Sequence, residues 1–64
     1  MKTWIIRELI FPAVGNPFYE YVGRVDSRTE QSALNKAAKV FIWDRGGIPN
    51  RKRHSKNFTA RKFN

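Results

Sequence analysis

Sixty-four residues set one domain, close to the smallest that folds unaided, with room for a single thin core such as a sheet covered by a helix. An apolar fraction of 41%, with two Trp, two Tyr and five Phe, favours a packed chain over a disordered one, and the absence of cysteine removes disulfides, thiolate metal sites and cysteine nucleophiles. The formal charge of +8 is unevenly placed: residues 1–44 hold six Lys/Arg against five Asp/Glu, whereas residues 45–64 hold seven Lys/Arg and no acid, a segregation that points to an anionic partner.

Residues 3–11 read as a strand rich in β-branched and aromatic residues. Both of its faces, Ile5, Arg7, Leu9, Phe11 and Trp4, Ile6, Glu8, Ile10, are largely apolar, which suits a central position. Arg7 and Glu8 interrupt the apolar stretch that a signal peptide needs, and no run approaches the roughly 18 apolar residues of a membrane span. The expectation is a soluble, cytoplasmic protein with no membrane partner. Residues 12–17, with two prolines and a Gly-Asn pair, mark a turn. Residues 18–25 form a second strand, with Tyr19, Tyr21 and Val25 on one face and Phe18, Glu20, Val22 and Arg24 on the other, so the two strands make an antiparallel hairpin.

The helix that follows has a start signal. Ser27 and Glu30 stand three apart, as in a capping box, with Ser27 as the cap. Ala33, Leu34, Ala37, Ala38, Phe41 and Ile42 then recur at helical spacing as one apolar stripe, and Gly46 and Gly47 supply a stop. Residues 44–57 read as a basic loop and residues 58–63 as a short third strand. The predicted fold is α+β, with element order β-β-α-β: a three-stranded, mainly antiparallel sheet in the order 2-1-3 with the helix packed on one face. It forms one domain over residues 1–64.

Catalytic constellations are missing. His54 is the only histidine, flanked by Arg53 and Ser55, and no second metal-ligating partner is near in sequence. The five acids are scattered, and Gly46 and Gly47 lack the Gly-Lys-Ser/Thr ending of a phosphate-binding loop. A non-enzymatic protein with no cofactor and no metal is expected. The positive signal is the run of Arg45, Arg51, Lys52, Arg53, His54, Lys56, Arg61 and Lys62, interspersed with Ser55, Asn57 and Thr59, since cations and small hydrogen-bonding side chains together suit a phosphodiester backbone. Phe58 and Phe63 flank this run as stacking candidates or, alternatively, as core residues of the last strand. Trp43 falls off the helical stripe and is either an interface residue or a rim-packed core residue.

The element order, and the aromatic strands, Ser-x-x-Glu and Ala/Leu pattern of residues 4–11, 18–25, 27–41 and 58–63, resemble small phage-encoded α+β accessory proteins, among them the podovirus inhibitors of bacterial RNA polymerase. The loop carrying Arg51, Lys52, Arg53 and His54 departs from that pattern. The resemblance implies a compact phage protein that docks on a host macromolecule in the host cytoplasm. Two binding functions therefore compete: DNA or RNA held by the cationic loop and last strand, or a host inhibitor or adaptor docked on an acidic protein such as RNA polymerase or a nuclease. Charge alone does not separate a phosphate backbone from a carboxylate-lined groove. A third option is a homodimer built through the open sheet face or an edge strand.

Overall fold

The computed structural model describes residues 1–44, 51–52 and 54–63, with backbone alone at 43, 44, 51 and 52. Two long strands, β1 (Lys2–Ile10) and β2 (Phe18–Ser27), pair antiparallel around a turn in which Gly15 takes a φ of 101°, a left-handed conformation open to glycine without strain. They are followed by α1 (Glu30–Val40), then by β3 (Trp43–Asp44) and β4 (Arg51–Lys52), then by a single 3-10 turn (Ser55–Asn57) and β5 (Phe58–Lys62). The last strand pairs antiparallel with the free side of β1, from Trp4 opposite Lys62 to Glu8 opposite Phe58. The sheet order is thus β2-β1-β5, and β2 and β5 run in the same direction on either side of the apolar central strand. This is the α+β arrangement that the sequence predicts.

The core lies between one sheet face and the helix. Trp4 and Ile6 from β1, Val25 from β2 and Phe58 from β5 meet Ala33 and Ala37 of α1, with Val22, Leu34, Phe41 and Ala60 packed around them. Ala33 and Ala37 are fully buried, and their short side chains let the helix sit close to the sheet. The indole Nε1–H of Trp4 donates to the Ser27 carbonyl at 3.0 Å, so the one polar atom of that buried ring has a partner. At Gly23 the approach is closest: a Cβ there would lie 2.6 Å from Cζ of Phe41, so only glycine lets that ring rest on the strand.

Three expectations are corrected. The N-cap is Thr29, whose Oγ1 accepts the Ser32 N–H at 3.1 Å, and Ser27 remains in β2, where its hydroxyl donates to Ser32 Oγ. Strand pairing with Lys2 extends β2 two residues further than the pattern of residues 18–25 suggests and thereby moves the helix start. The helix also ends early, at Val40, with the Phe41 N–H donating to the Ala37 carbonyl. Gly46 and Gly47, expected as the stop, lie outside the described residues. Finally, the segment read as a loop contains the two-residue pairing of β3 with β4 and the 3-10 turn. Elements this short carry no hydrophobic period that a sequence pattern can detect.

Candidate functional site

Among the described residues, the basic side chains of the last third fall at two places, the 3-10 turn and β5. Arg51 and Lys52 form β4 opposite Asp44 and Trp43, placed by backbone only, and Arg45 and Arg53 lie outside the described residues. His54 is exposed, and its backbone N–H donates to Oε2 of Glu8, a carboxylate only 3% exposed on the helix side of β1. Lys56 is exposed on the 3-10 turn. Between this turn and the end of β1 lies an open groove of about 660 Å³, with Leu9, Ile10 and Phe11 along one wall and His54, Lys56 and Asn57 along the other. Phe58 is 6% exposed and belongs to the core, so its ring is not available for stacking.

Arg61 and Phe63 lead to the other side of the sheet. Side chains alternate along a strand, so β1 turns Thr3, Ile5, Arg7 and Leu9 away from the helix. Cross-strand register carries that face outward on both sides: Arg24, Ile5 and Arg61 form one row, and Tyr21, Arg7 and Thr59 the next, with Tyr19 beside Leu9. Phe63 continues the face past the end of β5, its N–H donating to the Thr3 carbonyl. Among the described residues, no helix covers this face. Tyr19, Tyr21 and Phe63 are 50%, 59% and 48% exposed.

Arginines and rings on this face pair with each other. The guanidinium of Arg7 sits 4.8 Å from the centre of the Tyr19 ring, and that of Arg24 sits 5.3 Å from the centre of Phe63, both within cation–π range. Arg61 and Lys62 border a shallow depression of about 340 Å³ floored by Ile5, Arg7 and Phe63. Among the described residues, the face holds three arginines against one carboxylate, Asp26, which accepts a hydrogen bond from the Thr3 hydroxyl at 2.7 Å. Two buried polar atoms, Arg7 Nε and Thr59 Oγ1, belong to directly paired residues and have no hydrogen-bond partner among the described residues.

Sequence reading missed four of these residues: Arg7, Arg24, Tyr19 and Tyr21. For the three residues of β2 the cause is a β-bulge. Register runs from Ile6 opposite Gly23 to Arg7 opposite Tyr21, which leaves Val22 as an extra residue. Strict alternation places Tyr19 and Tyr21 with Val25 and opposite to Arg24. The bulge reverses that parity, so both tyrosines share a face with Arg24 while Val25 goes to the core. Gly23 inside a strand pattern was the available signal, because isolated strand glycines often mark bulges.

Among the described residues, no three His, Cys, Asp or Glu side chains come together as a metal ion requires, and no helix is long and apolar enough to cross a membrane. No protein-family model, curated protein or solved structure matches the chain.

Proposed function

We propose that the protein is a small non-enzymatic binder of nucleic acid that uses its basic C-terminal segment and last strand as contact surface. The observation that carries this reading is the position of β5, which brings Arg61 and Phe63 from the acid-free third of the chain into one face with Arg7 and Arg24. Arginine presents a planar fork of donors to phosphate oxygens, and an exposed ring beside it offers a surface to a base. Contacts of this kind release condensed counterions, so binding is strongly salt-dependent and weakly sequence-specific. A cytoplasmic location, in a host cell for a phage-encoded protein, goes with this function.

Titration of labelled DNA and RNA with the purified protein at about 50 mM salt tests it, because counterion release favours association there. Binding that weakens when Arg51, Lys52 and Arg53 are replaced by Ala supports the reading, and the absence of any bound nucleic acid overturns it. One observation favours the other reading, a host inhibitor or adaptor docked on an acidic protein: Phe11, Val14 and Phe18 around the hairpin turn are exposed and carry no charge. Capture of a single host protein that survives nuclease treatment decides for that function.

A further inference from the structure

We infer that the open face of the sheet is a stacking platform for unpaired bases, which makes the protein's preferred ligand a single strand and not a duplex; this rests on the nucleic-acid reading above. A duplex and a single strand both present phosphates, and the arginines attract either. Ring faces make the difference. In a duplex each base is stacked on its neighbours and shows only its edges in the grooves, whereas an unpaired base offers its whole π-face to a side chain.

Three half-exposed rings stand on this one face, with arginines between them, and exposed aromatic and arginine side chains gathered on one surface are the composition of a contact site. Tyr19 and Tyr21 are two residues apart on β2, about 6.8 Å along the strand, so neighbouring bases reach neighbouring rings. The Arg7–Tyr19 and Arg24–Phe63 pairs hold two of the rings in position before any ligand arrives, and each guanidinium plane is itself a surface on which a base stacks. Arg61 at the rim is placed to take the sugar–phosphate backbone.

Charge argues against a second copy of the chain on the same face. Two such faces apposed would bring Arg7, Arg24 and Arg61 of both copies together, with one Asp26 from each to offset them. A polyanion with exposed aromatic bases meets the charge and the rings at once.

The test compares a labelled single strand of about a dozen nucleotides, in DNA and in RNA form, with the matching duplex by fluorescence anisotropy. The wild type is expected to favour the single strand. Replacing both Tyr19 and Tyr21 by Ala lowers single-strand affinity by about tenfold or more and changes duplex affinity by less than about twofold, while Tyr21→Phe keeps the preference. Equal affinity for single strand and duplex, or an equal loss for both in the double variant, overturns the inference and leaves the nucleic-acid reading intact. No binding of any oligonucleotide overturns both. A second measurement does not depend on any variant folding: photocrosslinking of the wild type to thiouridine- or thiothymidine-containing strands. Adducts on Tyr19, Tyr21 or Phe63 support the platform, and adducts confined to residues 51–56 overturn it. A dimer in sedimentation that the Tyr19→Ala, Tyr21→Ala variant dissolves overturns it in favour of self-association.

Discussion

Ile6 is the largest fully buried side chain of the described residues, and it sits where β2, β5 and the helix all meet the central strand. Ile6→Ala is expected to cost about 2–5 kcal/mol, enough to unfold most of a chain whose total stability is on the order of 3–5 kcal/mol at this size. Loss of the cooperative urea transition checks this. Gly23 fails in the opposite way, by crowding. Gly23→Ala drives a methyl group into the Phe41 ring and is expected to cost about 1–3 kcal/mol. If the clash with Phe41 is the cause, adding Phe41→Leu restores part of the loss, and a double-mutant cycle by urea denaturation measures the coupling. On the opposite face Tyr21 is 59% exposed and outside the core, so Tyr21→Ala is expected to cost no more than about 1 kcal/mol, the span of strand preference at a solvated site, read by thermal denaturation.

At the level of elements, the helix start turns on one hydroxyl. Thr29→Ala removes the acceptor for the Ser32 N–H and is expected to cost about 1 kcal/mol, whereas Thr29→Asp keeps the cap and adds a negative charge at the helix N-terminus. Thermal denaturation of the two variants should separate them by several degrees. The long strands, the helix and the sheet order are legible in the sequence because Trp4, Ile6, Val25, Ala33 and Ala37 repeat with the period of the element they belong to. The cap is misassigned because Ser27 and Thr29 both precede Glu30, and strand pairing decides between them. The proposed binding face is only half legible. Arg61 and Phe63 follow from charge and position, but Tyr19, Tyr21 and Arg24 share a side only through the bulge at Val22, a feature of pairing between strands that periodicity within one strand does not contain. Phe58 and Phe63, alike in the sequence, are separated by simple alternation into core and surface.

For the whole molecule, the proposed binding of nucleic acid divides into two separable contributions. The +8 charge sets a salt dependence, whereas the rings act through contact. In a plot of log affinity for a single strand against log salt, Arg61→Ala is expected to flatten the slope by about 0.7 if it contacts one phosphate, and Tyr21→Ala to shift the line without changing its slope. Temperature divides the same two contributions in another way. The row of Arg24, Ile5 and Arg61 is drawn from positions far apart in the chain and exists only while three strands are paired. The cations remain on the chain after it melts. With a duplex long enough to stay paired at that temperature, heating through the unfolding transition is therefore expected to abolish the proposed discrimination between single strand and duplex while charge attraction persists, leaving a hot sample that holds either form alike.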